Sequence, residues 1–157
     1  SVNHLKSKGS ACKGDPDTGD GQGNCNQTRN KAAEDLVSWL RGDPTGQGAA
    51  RTLIIGDLNS YDHEDPVKTL VEGGYADMEK KFTGEQAYSY VFDGMSGYLD
   101  HALANQAAET SIVDARAWHI NADEADIFDY DMTYKKAAEQ NSTAPTRIAP
   151  PTTTRWW

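Results

Sequence analysis

Positive charge is the first thing this chain is short of. Fifteen Lys and Arg stand against 24 Asp and Glu, a net charge of −9, which excludes a protein that binds nucleic acid through bulk positive charge. Chemistry on nucleic acid is not excluded, because a site can offset phosphate charge locally with metal ions. Long apolar runs are missing too. Apolar residues make up 37% of the 157 residues, and no stretch approaches the run of about 18 that a membrane span needs. Cysteine is limited to two, too few for a zinc site without more Cys or His at short spacing. The chain opens at Ser1 with neither an initiator Met nor a signal peptide, and "SVNHLKSK" reads as the end of a strand. The expectation is a chain entered midway, whose compartment no targeting segment reveals.

What is present begins with the loop between the two cysteines. Cys12 and Cys25 bracket "KGDPDTGDGQGN", which has no apolar residue and no core of its own. A disulfide closing it is the reading, worth about 3 kcal/mol in the chain-entropy model, and it places the protein in an oxidising compartment, secreted or periplasmic. Asp15, Asp17 and Asp20 do not meet the spacing of an EF-hand calcium loop. From Asn26, Ala32, Leu36 and Leu40 recur at helical spacing with Ala33, Val37 and Trp39 widening the face. This predicts an amphipathic helix started by an Asn or Thr cap and stopped by Gly42 and Pro44. A strand Thr52–Ile55 follows, then a short helix from Pro66 to Gly73-Gly74. Tyr88–Phe92 and Tyr98–Ala104 read as two strands around a Gly-containing turn, and "TSIVDARAWHI" as a further strand. The alternation is that of an α/β domain, and from Lys135 onward no periodicity remains.

The stretch "RTLIIGDLNSYDHEDP", Arg51–Pro66, concentrates the polar chemistry. The strand ends at Gly56, and Asp57 and Asn59 follow at i and i+2, on one side of the sheet edge if the chain stays extended. The carboxyl ends of strands in an open α/β sheet are where ligands bind. A bare Asp-x-Asn equally describes an Asx turn closing a strand. His63, Glu64 and Asp65 read as a solvated loop with a helix cap. Asn3-His4, Asp57/Asn59 and Asp100-His101 form three polar clusters at strand ends. A phosphoryl-transfer site needs such groups together: a proton acceptor for water, and charge to stabilise the transition state.

The blocks "NHLKSKGS", "DGQGNCNQTRNKAAEDLVSWL", "LIIGDLNSYDHEDP", "YSYVFDGMSGYLDHALAN" and "AWHINADE" together resemble the endonuclease/exonuclease/phosphatase superfamily, in its extracellular nuclease branch. The likeness runs from Val2 to about Lys136, with "GDLN" and "GYLDHALA" its most specific parts. It implies a partial four-layer, DNase I-like sandwich, two β-sheets flanked by helices, with a divalent-metal site at one end. Residues 1–136 would be the C-terminal half of such a domain, with its N-terminal half as the missing partner. By the same resemblance, His4 hydrogen-bonds the scissile phosphate, and Asp57 activates or orients the attacking water. Asn59 fixes that water or a phosphate oxygen, and Asp100 orients a catalytic histidine further along. Asp57 and Asn59 would hold the metal, Mg²⁺ with Mn²⁺ or Ca²⁺ as alternatives. His101, facing away from Asp100 on the same strand, is not that histidine. Trp118, His119, Asn121 and Asp123 match the branch without an evident physical role.

The expected function is therefore a secreted, metal-dependent nuclease acting on DNA or RNA, with no membrane partner. A phosphatase or sphingomyelinase of the same superfamily is the second enzymatic reading, and a non-catalytic extracellular binding module the third. Two pieces of the family pattern have no match here: the metal-binding Glu of the first half, and a terminal Ser-Asp-His-Asp-Pro block that carries the second histidine. Residues 137–157 form an irregular tail, "TAPTRIAPPTTTRWW" at its end. Joining the third base of each codon to the first two of the next lets Arg147–Trp157 spell Tyr-Arg-Ser-Ser-Asp-His-Asp-Pro-Val-Val. Trp has a single codon, so the Trp156–Trp157 junction must read Val. A frame error is the preferred reading, and a Pro/Thr linker the other. Sequencing the gene should find third bases that spell the missing block, and bases that cannot do so rule the frame error out.

Overall fold

The computed structural model describes residues 1–92, 94–120 and 122–123. The described residues fall into two units, Ser1–Ala87 with Tyr98–Arg116, and Tyr88–Gly97 with those from Ala117 onward. The chain is mixed α/β. In order come β1 (Val2–His4), α1 (Asn26–Arg41), β2 (Leu53–Asp57), α2 (Asp65–Glu72), β3 (Tyr75–Asp77) and α3 (Met78–Thr83). A 3₁₀ turn (Gly84–Gln86), β4 (Tyr90–Phe92), β5 (Met95–Gly97), β6 (Asp100–Asn105) and α4 (Gln106–Glu109) complete the described elements.

The first unit is built on a four-stranded sheet in the order β1-β2-β6-β3. β1 and β2 run parallel, joined through α1, while β6 is antiparallel to both β2 and β3. Alternate residues of β2 serve different layers. Ile54 packs with Leu58 and Leu103 beneath α1 and α2, where Ala33, Val37, Val67, Leu70 and Tyr75 close the main core. On the other face Ala102, Ala104, Met78 and Ala108 form a second cluster, against which Ile55, Ala76, Phe82, Ile112 and Ala115 pack. β6 is thus buried on both faces, which its small "ALA" centre permits.

Two glycines are required by close approach. A Cβ at Gly73 would sit 2.7 Å from Val37 Cγ2, so α1 and α2 touch where no side chain fits. At Gly56 (φ +127°) a Cβ would lie 2.0 Å from the Asn3 carbonyl oxygen, in a conformation that other residues rarely adopt. That glycine lets β1 lie against β2 immediately before Asp57.

The Cys12–Cys25 disulfide expected from the sequence is present. Its loop is mostly exposed, but Cys25 and Asp15 are buried. α1 is not capped by an Asn or Thr of its own. Cys25 occupies the cap position in a left-handed conformation with no side-chain cap bond. The Asp15 carboxylate reaches in from the loop instead, accepting from Thr28 N–H (2.7 Å), Thr28 Oγ1–H (2.8 Å) and Gln27 N–H (3.3 Å). Burial alone would raise the Asp15 pKa, but these donors and the Arg29 charge hold it below the ordinary carboxylate value. Asp17 and Asp20 close Asx turns on Gly19 and Gln22.

Two expectations about strands are corrected. Tyr90–Phe92 does not pair with the strand after Tyr98; it folds back on Met95–Gly97, because Gly94 at φ +77° reverses the chain at once. Asp100–Asn105 pairs with β2 and β3 instead. Thr110–Ile120 contains no strand: Ile112 and Ala115 pack on the second cluster while Val113 is 91% exposed, so no sheet partner takes up the alternation. β3, α3 and the 3₁₀ turn were not anticipated. The tail, residues 137–157, lies outside the described residues.

Gly56→Ala should cost on the order of 3 kcal/mol, strain and clash together. Gly9→Ala, where the nearest atom to a Cβ is 3.7 Å away, should be close to neutral. Urea unfolding of both variants is the check, and equal midpoints would sink the claim.

Candidate functional site

β1 and β2 end side by side because they are parallel, and β6 begins opposite them because it is antiparallel. Their register puts His4 beside Asp57, and Asp57 across from Asp100. Three residues far apart in sequence therefore form one row across three strands. The Leu58 N–H to Leu99 carbonyl bond (2.8 Å) and the Asn105 N–H to Thr52 carbonyl bond (3.1 Å) fix the parity of the β2–β6 ladder. Asp57 and Asp100 fall on a non-hydrogen-bonded pair, the kind whose side chains lie closest. Asp100 is buried, whereas His4 is largely exposed, with its Nε2 3.6 Å from Asp57 Oδ2. A cation or an imidazolium beside two such carboxylates offsets their mutual repulsion.

Asn59 does not continue the extended path assumed from the sequence. Its φ of +48° turns the chain, and its N–H donates to Asp57 Oδ1 at 2.8 Å. The Asx turn of Asp-x-Asn is therefore present: one carboxylate oxygen closes it and the other faces His4. The Asn59 side-chain amide donates to the Leu5 carbonyl (3.0 Å), which ties the β2 exit to the β1 exit. Asp57 and Asn59 carry side-chain oxygens of the hard kind that a divalent cation such as Mg²⁺ takes as ligands. Among the described residues no group of three or more His, Cys, Asp or Glu could hold a metal by itself.

Behind the row, the turn Leu58–Ser60 is clamped by groups that the sequence did not announce. Ser60 is fully buried. Its Oγ accepts from Arg29 Nε (3.1 Å), and its carbonyl accepts from His101 Nε2 (2.8 Å). His101, pointing to the face opposite Asp100 as expected, sets Nδ1 3.3 Å from Asp77 Oδ2, which also accepts from Tyr98 OH at 3.0 Å. Both ring nitrogens thus face oxygen atoms, one on Asp77 and one on the Ser60 carbonyl. Burial would raise the Asp77 pKa, but the hydrogen bond and charge of His101, with donors from Lys80 N–H and Tyr98, hold it below the usual value. Burial beside Asp77 pushes the Tyr98 hydroxyl far upward.

Glu64 corrects the solvated-loop expectation. It is 6% exposed and ion-paired with Lys8, whose ammonium stands 4.6 Å from the centre of the Tyr61 ring. Asp65 is likewise engaged, by the side-chain amides of Gln22 and Asn26. His63 remains largely exposed. In the second unit Tyr88 stacks on His119 at 3.8 Å and donates to Asp123 Oδ2 at 2.9 Å. This gives His119 and Asp123 a role in pinning the segment that starts the β4–β5 hairpin. Trp118 is exposed, and Asn121 lies outside the described residues. Of the missed residues Arg29, Asp77 and Glu64, only Arg29 left a faint signal, a charged group inside an otherwise periodic helix. No family model matches the chain, and no curated protein is significantly similar to it.

The Asp77 shift carries a sign. A depressed folded-state pKa means stability that is present above about pH 3.9, the ordinary aspartate value. That stability is lost as pH falls through the lower folded value. Asp77→Asn should therefore flatten the fall of stability below about pH 4 relative to the parent chain. Urea midpoints measured from pH 6 down to 2 decide it; parallel curves would show that Asp77 does not titrate with folding.

Proposed function

We propose that the His4–Asp57–Asp100 row is part of the hydrolytic centre of a metal-dependent phosphodiesterase, a secreted nuclease acting on DNA or RNA. One observation carries the reading: an exposed imidazole, a half-buried carboxylate and a buried carboxylate lie in a single register row at the ends of three strands. In this reading Asp57 Oδ2 takes the proton from an attacking water, since Oδ1 is occupied by the Asn59 N–H. His4, open to solvent, meets the scissile phosphate and stabilises the charge that builds on it. Asn59, anchored at its amide nitrogen, turns its carbonyl oxygen to the water or the ion. Asp100 orients a second imidazole, as carboxylates do in other Asp–His pairs. Mg²⁺, or Mn²⁺ or Ca²⁺ in its place, would be held by Asp57 and Asn59 and would neutralise phosphate oxygens when bound.

The apolar flank of the sheet supports the partial four-layer architecture. On the face away from α1 and α2, Val2 is 81% and Leu53 40% exposed, beside half-buried Ile55. A second sheet packed on this flank would cover all three and bring a metal-binding Glu to the row. Residues 1–136 are then the C-terminal half of a DNase I-like domain. The disulfide fits export to an oxidising compartment, and among the described residues no helix is long and apolar enough to cross a membrane.

The 157-residue chain alone should cleave neither DNA nor RNA with any of the three ions. Titrated with Mn²⁺, its Asp57 and Asn59 NMR signals should broaden before those of Asp15 or Asp77. Joined to a segment that supplies the Glu and a second His, it should hydrolyse phosphodiesters. There Asp57→Ala and Asn59→Ala should lower kcat by about 10²-fold or more with little change in KM. Robust cleavage by the chain alone, or broadening that begins elsewhere, would overturn the proposal.

A further inference from the structure

Arg29 lies on α1, outside the row, and is fully buried. Its guanidinium spends its donors on three separate segments. Nη1 donates to the Lys6 carbonyl (3.2 Å) at the β1 exit and to the Asn24 carbonyl (2.7 Å) in the disulfide loop. Nη2 donates to the Gln22 carbonyl (2.7 Å) in the same loop, and Nε to Ser60 Oγ (3.1 Å) at the β2 exit. Two of its four acceptors therefore belong to the 12-residue loop between Cys12 and Cys25. That loop has almost no apolar residues with which to hold its shape. It stays in place through the disulfide, the Asp15 bonds to α1, the Gln22 side chain on Asp65, the Asn24 side chain on the Lys8 carbonyl and these carbonyls.

We propose that Arg29 is a positioning residue through which the Cys12–Cys25 disulfide sets the order of the Asn59–Ser60 turn, so that reduction of the disulfide loosens the hydrolytic row. The inference rests on reading that row as the reaction site, and it names a redox regulation of it. Cys12 is the half-exposed partner and Cys25 the buried one, so a dithiol reductant reaches Cys12 first. Its thiolate attacks Cys12 Sγ, and the S–S bond breaks with its electron pair on Cys25 Sγ, which takes a proton. The second thiol of the reductant then displaces Cys12, which leaves as a thiol while the reductant closes to its own disulfide. Two electrons and two protons enter the protein. The freed loop then holds the Gln22 and Asn24 carbonyls against the guanidinium only through the Gln22–Asp65 and Asn24–Lys8 side-chain contacts, a weaker grip. A buried guanidinium short of acceptors is costly, and it recovers them by moving, which withdraws Nε from Ser60. His101 on the far side of Ser60 holds only its carbonyl, and Asn59, one residue earlier, carries the contact to Asp57.

The test is amide hydrogen exchange on the whole chain, oxidised and then reduced by a dithiol and alkylated. The readout needs no catalysis, so it can fail while the hydrolytic reading stands, and the reverse. Asn59 and Ser60 should exchange about tenfold faster after reduction, while Leu103 and Ala104 in β6 change much less. Ser60→Ala with the disulfide intact should give a similar local acceleration and leave Gln22–Asn24 protected. Reduction of that variant should add little more, because both perturbations cut the same connection. The proposal is overturned if Asn59 and Ser60 do not respond, or if β6 accelerates in the same proportion, loss of the whole fold included. Additive effects of reduction and Ser60→Ala would overturn it as well, by excluding the route through Arg29.

Discussion

A guanidinium removed from water holds this structure to its shape. Arg29 cannot give up its proton, so every donor it turns inward must find an acceptor or the helix that carries it cannot dock. Burial lowers its pKa, and the charges of Glu64 and Asp15 oppose that drift. The four acceptors lie on the β1 exit, the disulfide loop and the β2 exit. Satisfying one side chain thus fixes the mutual placement of three irregular segments that share little apolar contact. Apolar packing under α1 and α2 stabilises the sheet, but it is non-directional and does not set where loops end. The directional part of the fold comes from this charge and from the His101–Asp77 pair on the opposite side of Ser60.

The regular elements with a strong period were legible in the sequence. α1 is visible in the spacing of its apolar residues, β2 in a three-residue apolar burst, α2 in Pro66 and the paired glycines. Boundaries and partners were less so. β3 has three residues, too few for an alternation to appear, and α3 with "MEKKFT" has too few apolar positions to define a face. Thr110–Ile120 has the composition of a strand, yet a strand exists only where a neighbour offers a ladder. Pairing is a tertiary fact, which is why the hairpin partner of Tyr90–Phe92 was misplaced as well.

The candidate site was legible to a similar depth. His4, Asp57 and Asp100 each close or open a strand, and alternation alone puts them on one face once the register is right. The sequence put Asn59 on the same side as Asp57 only if the backbone stayed extended, and its left-handed conformation removes that condition. It still reaches the β1 exit, through its side chain. The supporting groups were hidden for a simple reason. Arg29, Glu64 and Asp77 look like ordinary surface charges in sequence, because a charged residue is buried only when distant partners complete its hydrogen bonds. The farthest of those partners sit 24 to 56 residues away, as in the His101–Asp77, Arg29–Ser60 and Lys8–Glu64 contacts.

The clamped turn also bears on how the chain ages. Asn followed by Ser is prone to deamidation: the Ser60 amide nitrogen attacks the Asn59 side-chain carbonyl carbon, ammonia leaves, and hydrolysis of the cyclic imide yields Asp or isoaspartate. That ring closure needs the two residues to rotate toward each other. Here Asn59 is held by Leu5 and Asp57, and Ser60 by Arg29 and His101, contacts that resist this rotation. Conversion would place a third carboxylate within two residues of Asp57 and, for isoaspartate, lengthen the backbone inside the turn. The same contacts that order the row therefore act as its chemical preservative.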